Sequence, residues 1–430
     1  MAHLAPFRAV RYAAQDQSRL VAPPYDILDQ ADKDALLARS DRNIVAVDLP
    51  HTPPKDAGPK EAYERSARTL LSWLNDGTLK QDREPALYVY HQNFRHGGRH
   101  FTRQMFFARL RLEDFGKGQV FPHEQTFGGP KADRLMLTRA TRANVSPIFG
   151  LYPDANNDVS SCFGNVVARE PDAFATMDKV ENRLWVCSRG VVTDKVISLM
   201  KRLPVFIADG HHRYGTAMNY RNQLMEKQRG LPDEHPAHYV LCVFAGMEDP
   251  GLLILPTHRV LCGLSNVTTS MLTEALSDRF DVRPSADAAN GEKLVKSLAS
   301  QGPLALAAYC SADDAAITLS PRDPDLLAAY EPKRAAAWRQ FSLSILHRYI
   351  LDELVTPRFA GGNPPAIHYI KDDAGAIREA KQERGVAFLP QPTTMAELRA
   401  ICTAGELMPQ KSTYFFPKLA TGLVINPLVD

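Results

Sequence analysis

Apolar residues recur at helical spacing between Lys60 and Asn75, at Ala62, Tyr63, Ala67, Leu70, Leu71 and Leu74. The spacing predicts an amphipathic helix, and Asn75-Asp76-Gly77 supplies its stop. Asp29 to Leu37 reads as a shorter helix with Asp29 as its cap. Between them, Asn43 to Leu49 is a compact apolar run that predicts a β-strand. Ala86 to Gln92 and His100 to Leu112 flank Arg95-His96-Gly97-Gly98-Arg99, the pattern of a hairpin. Ile148 to Tyr152 reads as a strand, and Arg183 to Cys187 then Val191 to Met200 as strand and helix. Leu203 to Ala208 predicts a buried strand. Helical spacing resumes at Tyr214, Ala217, Met218, Arg221, Leu224 and Met225. Tyr239 to Phe244 and Leu252 to Leu255 read as further strands. Beyond Leu264 the pattern is simpler. Helices over Thr269–Arg279, Lys333–Leu354 and Met395–Ala404 alternate with strands at Leu304–Tyr309, His368–Ile370 and Val386–Leu389. The fold class expected is α+β, divided near the Cys262–Asn266 loop into residues 1–262 and 263–430.

Composition narrows the class without naming it. An apolar fraction of 44% in 430 residues is globular and supports a sizeable core. No run approaches the roughly 18 apolar residues of a membrane helix, and the first residues lack the apolar stretch of a secretion signal. Fifty-one basic against 49 acidic residues leave a net charge of +2. That balance gives no support to a dedicated nucleic-acid binder. The six cysteines form no C-x-x-C pair, which argues against a zinc site or a thioredoxin-like motif. The expected setting is cytoplasmic and away from membranes, with homodimerisation left open.

Four stretches concentrate chemistry. The first is Asp209-Gly210-His211-His212-Arg213-Tyr214, running from a buried strand through a glycine into a helix start. Such a turn aims free backbone N–H groups and the positive helix end at one point, which suits a phosphate. Arg213 offers a bidentate grip, the histidines can move protons, and Asp209 can hold Mg²⁺ or a hydroxyl. Helix capping by Asp209 and solvated histidines is the plainer alternative. The second is Pro122-His123-Glu124-Gln125-Thr126-Phe127-Gly128-Gly129-Pro130-Lys131-Ala132-Asp133-Arg134. Here a His-Glu pair can serve as a base or as metal ligands, and Lys131 and Arg134 can neutralise phosphate charge. A solvated charged loop is its plainer alternative. The third is Lys411-Ser412-Thr413-Tyr414-Phe415-Phe416-Pro417-Lys418, basic and aromatic, and the fourth is Ala22-Pro23-Pro24-Tyr25-Asp26, a stiff loop. There is no G-x-x-x-x-G-K-[ST] phosphate loop and no G-x-S-x-G elbow.

These motifs, in this order and with Pro409-Gln410 before Lys411, resemble those of a prokaryotic family, domain of unknown function ten-fifteen. The segment from Asp209 to Arg213 also resembles the ParB/sulfiredoxin-like signature, in which a Gly-x-x-Arg turn opens a helix that holds nucleotide phosphates. Sulfiredoxins place a catalytic cysteine after the turn glycine; here that residue is His211. Partition proteins add a helix-turn-helix domain, and no such pattern is visible. ADP-dependent free-serine kinases remain. The resemblance therefore implies a ParB/sulfiredoxin-like nucleotide core and a nucleotide-dependent phosphotransferase acting on a small hydroxyl metabolite, free serine or phosphoserine first. A phosphohydrolase and a non-catalytic nucleotide-gated binder stay open beside it. In the first scheme His123, Glu124, Asp209 and His212 are catalytic. Gly210, His211, Arg213, Tyr214, Lys131, Arg134 and Lys411 hold the nucleotide phosphates. Tyr25, Asp26, Thr126, Asp133, Ser412 and Thr413 line the substrate. Asp209 and Glu124 bind Mg²⁺ that accompanies ATP or ADP.

Overall fold

A computed structural model of the chain describes residues 2–54, 56–125, 128–288 and 290–429. Thr126, expected to line the substrate, lies outside them. The backbone forms two compact units: residues 1–253 together with 417–430, and residues 254–416. The expected boundary loop at Cys262–Asn266 lies within the second unit, and the last residues return to the first.

The first unit is built on a mixed sheet. Its strands are β1 (Leu4–Ala5), β2 (Ala86–His96), β3 (Arg99–Arg111), β4 (Val120–Phe121), β5 (Ile148–Tyr152), β6 (Ala173–Met177), β7 (Val180–Ser188), β8 (Val205–Asp209) and β9 (Tyr239–Gly246). The spatial order is β4-β8-β5-β9-β3-β2-β7-β6, with β1 paired to β3. Two neighbours run parallel, β4 with β8 and β5 with β9; the others are antiparallel. The hairpin of β2 and β3 turns at Gly97 and Gly98, both at positive φ, a turn whose twist matches paired strands.

The main helices of this unit are α1 (Gln30–Arg39), α2 (Val45–Asp48), α3 (Lys60–Asn75), α4 (Gly128–Thr141), α5 (Val191–Met200) and α6 (His211–Gln228). Asp29 caps α1 through a reciprocal bond with Asp32. Helices α5 and α6 bury Val196, Met200, Tyr214 and Ala217 against Val205, Ile207, Val240 and Phe244 of the sheet. A second apolar cluster joins Tyr25, Leu36, Val45, Val47, Leu70 and Trp73.

One element departs from expectation. Asn43–Leu49 is no strand; it contains α2, a single helical turn. Asn43 explains this. Its side-chain oxygen accepts from the Val45 N–H at 3.0 Å, and its amide nitrogen donates to the Arg19 and Val21 carbonyls at 2.9 Å each. These bonds turn the chain, and every residue from Val45 to Leu49 except Ala46 is buried. A run buried all round carries no periodicity to separate strand from helix.

The second unit holds a six-stranded antiparallel sheet. Its strands are β10 (His258–Leu261), β11 (Phe280–Ser285), β12 (Leu306–Cys310), β13 (Ala315–Pro321), β14 (Ile367–Ile370) and β15 (Val386–Pro390), in the order β11-β13-β12-β15-β10-β14. Helix α7 (Asp373–Gln382) packs Ala376, Ile377 and Ala380 against Val260, Ala307 and Leu389. Lys333–Leu354 is not one helix but short α-turns followed by a π-helical stretch at Ile345–Val355. Among the described residues no helix is long and apolar enough to cross a membrane.

Candidate functional site

The parallel pairing of β4 with β8 matches Val120 to Val205 and Phe121 to Phe206. It carries the chain after Phe121 alongside the chain after Phe206. The segments around His123 and His211 therefore meet, although 88 residues separate them. The His123 backbone N–H donates to His211 Nε2 at 3.2 Å, and the two rings pack edge to face with centroids 4.5 Å apart. His123 Nδ1 lies 2.6 Å from the Ile207 carbonyl. A carbonyl only accepts, so the proton sits on Nδ1 and the neutral ring keeps its lone pair on Nε2. His211 Nε2 accepts, so its proton sits on Nδ1. Burial lowers the pKa of both rings, most strongly at His211, where His123 adds to the effect.

Gly210 makes the turn from β8 into α6. Its φ of +89° is left-handed, and an added Cβ would lie 3.0 Å from Ile148 Cγ2 and 3.1 Å from Ile148 Cα. Only glycine meets both demands. The Gly210 cap supplies no side chain to the first N–H groups of the 18-residue helix α6.

Asp209, at the end of β8, is the electrostatic centre. Lys418 Nζ lies 2.5 Å from one of its oxygens and Arg213 Nη2 lies 3.3 Å from the other. Burial pushes the carboxyl up, but Lys418 and Arg213 outweigh it and hold it well below the usual carboxylate range. Lys418 is itself positioned from both sides. Gln92 donates to the Lys418 carbonyl at 3.0 Å, and the buried Arg103 donates to the Pro417 carbonyl at 2.6 Å. Arg213 also donates to the Pro147 carbonyl. Its guanidinium is thus largely committed to the turn, which departs from the expected free grip on phosphate. Two cations thus flank one carboxylate. Glu124 and His212 are partly exposed beside it, and the Lys131 chain crosses Gly215, its Cε 3.0 Å from where a Cβ would stand.

A second polar cluster lies alongside. Asp133 is fully buried and accepts from Tyr63 Oη at 2.7 Å and from His51 Nε2 at 2.8 Å. Arg134 donates to Asp133 through Nε at 2.6 Å and to the Asp48 carbonyl at 2.6 Å. Ser146 donates to Asp48 Oδ1 at 2.8 Å. The Arg134 guanidinium lies 3.8 Å from the centroid of the buried Tyr25 ring, and that of Arg213 lies 6.0 Å from it. Both clusters thus border on Tyr25. Burial pushes the Asp48 carboxyl up, against Arg134 and Ser146, and pushes the Tyr25 phenol up as well.

Several of the expected residues are engaged within the protein. Arg134 and Asp133 are both buried and bond to each other and to Asp48, Tyr63 and His51. Tyr25 is a buried platform, whereas Asp26 is exposed. Tyr214 turns to the opposite side of α6, where its hydroxyl donates to the Glu113 carbonyl at 2.7 Å and its ring stacks on Phe115. That places it in the core, not at a phosphate. Both Asp209 oxygens are engaged by cations, so this carboxylate does not fit a Mg²⁺ ligand. His123 is fully buried, and its backbone N–H holds His211. Lys411, Ser412 and Thr413 belong to the second unit. There the Lys411 carbonyl accepts from the buried Arg259 at 3.2 Å, and the Ser412 carbonyl accepts from Thr393 at 2.6 Å. Lys418, Asp48, His51 and Tyr63 belong to these clusters without having been singled out by sequence. Lys418 closed a basic stretch, and Tyr63 read only as part of a helix face.

Fold and site together define an α+β protein whose mixed sheet presents a buried acid, cation and imidazole cluster at one strand-to-helix turn. The chain belongs to the family described as Protein of unknown function (DUF1015), which matches residues 4–339. The stretch from Pro409 lies beyond that match. No curated protein matches the chain. Among solved structures, it is similar to a conserved hypothetical protein from Pyrococcus furiosus at 13% identity and a TM-score of 0.33, covering 72% of this chain and 92% of that one. A free serine kinase in complex with AMP shows 14% identity and a TM-score of 0.34, over 71% and 89%. SbnI from Staphylococcus aureus shows 12% identity and a TM-score of 0.36, over 75% and 87%. At these scores the likeness carries no functional argument, and the site must supply it.

Proposed function

We propose that the first unit is a ParB/sulfiredoxin-like core that binds nucleotide phosphates at the β8–α6 turn and transfers phosphate to a small hydroxyl metabolite, with free serine the first acceptor to test. One observation carries the reading: uncapped N–H groups of α6, a carboxylate held between two cations, and two neutral histidines converge at a single strand end. Backbone donors and cations at a helix start are what a phosphoryl group needs, since its transfer rests on positioning and charge neutralisation. Asp209 orients Lys418 and Arg213. Lys131 and Lys418 offset the charge of the moving group. The acceptor oxygen attacks phosphorus, the bond to the departing phosphate oxygen breaks, and the hydroxyl proton passes to the Glu124 carboxylate. No step is routed through a metal held by Asp209.

The test joins binding to product analysis. ATP, ADP, CTP, GTP and phosphoserine are screened by thermal shift, with and without Mg²⁺, and hits are incubated with serine. A nucleotide at 100 times its Kd should stabilise the first unit by about 2.7 kcal/mol. Glu124→Gln should abolish phosphoserine formation and spare nucleotide affinity. Lys418→Met should weaken the nucleotide. Release of free phosphate alone would make the protein a phosphohydrolase. Absence of nucleotide binding by calorimetry, or an unchanged affinity in Lys418→Met, would overturn the assignment.

A further inference from the structure

Away from that site, the second unit gathers a different set of donors. Among the described residues, Cys262, His368 and Glu383 bring a thiol sulfur, an imidazole nitrogen and a carboxylate oxygen within 4.8 Å of one another. Strand pairing explains the first two. Val260 pairs with His368 across β10 and β14, and the Cys262 N–H donates to the Ala366 carbonyl at 2.9 Å. Side chains alternate along a strand, so Val260, Cys262 and His368 share one face. Val260 packs against α7, which identifies that face as the one the helix covers.

Helix α7 supplies the rest. Glu379 and Glu383 are one turn apart and so neighbours on its surface. The end of the helix is fixed. Arg384 takes a left-handed φ of +48°, and the Gly385 N–H closes back to the Ala380 carbonyl at 2.8 Å. The Gly263 N–H donates to the Glu383 carbonyl at 3.2 Å. A Cβ on Gly385 would stand 2.0 Å from the Leu261 carbonyl oxygen, so the helix end is pressed against the end of β10. Glu379 Oε1 lies 2.6 Å from His368 Nδ1. A carboxylate on Nδ1 orients the ring and leaves Nε2 for a cation, the arrangement that surrounds metal-bound histidines.

We propose that Cys262, His368 and Glu383 form a zinc site at the edge of the second unit's sheet, with Glu379 positioning His368. A thiolate with an imidazole selects zinc over magnesium or calcium, which prefer oxygen ligands. Three protein ligands leave the fourth tetrahedral position to water, as in zinc sites that act on a substrate. Zinc–ligand bonds of about 2.0–2.3 Å require the three donors to draw in by roughly 1 Å. β14 is an edge strand and His368 is exposed, so the open position faces solvent. Binding displaces the Cys262 thiol proton to solvent as the sulfur–zinc bond forms.

The experiment uses the untagged full chain, reduced and stripped with a chelator. Co²⁺ should bind with one equivalent and show thiolate charge-transfer absorption together with the strong visible bands of tetrahedral cobalt. Zn²⁺ should displace it. Cys262→Ser should abolish the charge-transfer band. His368→Gln and Glu383→Gln should each weaken Zn²⁺, and they keep the question answerable if the cysteine variant fails to fold. Glu379→Gln should keep the stoichiometry and weaken Zn²⁺ by about 10- to 100-fold, as loss of an orienting group does. Cobalt bound without a thiolate band would overturn the site. So would Zn²⁺ affinity that is the same in the wild type and in the His368→Gln and Glu383→Gln variants.

Discussion

Replacing Lys418 with methionine removes the ammonium from Asp209 and keeps the length of the side chain. The pair is mostly buried, with side-chain exposures of 17% for Lys418 and 22% for Asp209. Stripping the partner from a buried charge costs about 3–5 kcal/mol when nothing replaces it. Exposed pairs are worth at most about 1 kcal/mol. Arg213 stays within 3.3 Å of the other oxygen, so the remaining charge keeps one partner. The expected loss is therefore intermediate, about 1–3 kcal/mol. It can be followed in a Trp338→Phe background, because Trp73 and Trp185 belong to the first unit and Trp338 to the second. The pH dependence is specific. Asp209 titrates below its unfolded value, so its pairing stabilises the fold fully above about pH 4 and is lost as pH falls toward the folded pKa. Methionine removes the strongest attraction on that carboxylate and raises its folded pKa. The deficit of the variant should then be constant from pH 6 to 8 and shrink on acidification. Lys418→Arg should recover most of it. A loss below about 0.5 kcal/mol at pH 7, the scale of ordinary surface substitutions, or a deficit that widens toward acid, would refute the electrostatic reasoning.

Gly210→Ala combines about 1–2 kcal/mol of left-handed strain with about 1–3 kcal/mol of overpacking against Ile148; urea unfolding should show the sum, and a variant within error of the wild type would contradict it. His211→Asn should flatten the loss of stability between pH 6.5 and 5. The buried imidazole stays neutral while its unfolded form takes up a proton near pH 6.5, a slope of at most about 1.4 kcal/mol per pH unit; an unchanged slope would show that His211 does not contribute. Tyr63→Phe leaves the buried Asp133 short of a donor and should cost about 1–3 kcal/mol in denaturant titration, with nucleotide affinity unchanged if the Asp133 cluster is bracing alone.

What the sequence made visible was local. The cap at Asp29, the glycine turn of the β2–β3 hairpin and the left-handed turn at Gly210 depend on neighbours a few residues apart. The meeting of His123 with His211 depends on the parallel pairing of β4 with β8, which no local pattern encodes. Charge proved a poor guide to exposure. Lys131, Asp133 and Arg134 read alike along the chain, yet helix geometry sends the last two inward to Tyr63, His51 and Asp48. Tyr214 held both signals, a place in a polar motif and a place in the apolar spacing of α6. The spacing decided its position, because burying an aromatic ring outweighs the company it keeps in sequence.

The return of residues 417–430 to the first unit has a consequence for biosynthesis. Asp209 and Lys418 are 209 positions apart, and the whole second unit is translated between them. A nascent chain can lay down most of the mixed sheet early. Its aspartate then waits with Arg213 until the second unit has been made and Lys418 has cleared the ribosome. The cluster therefore cannot be complete before the second unit has been translated, and a product stopped short of Lys418 would carry the sheet without its charge balance.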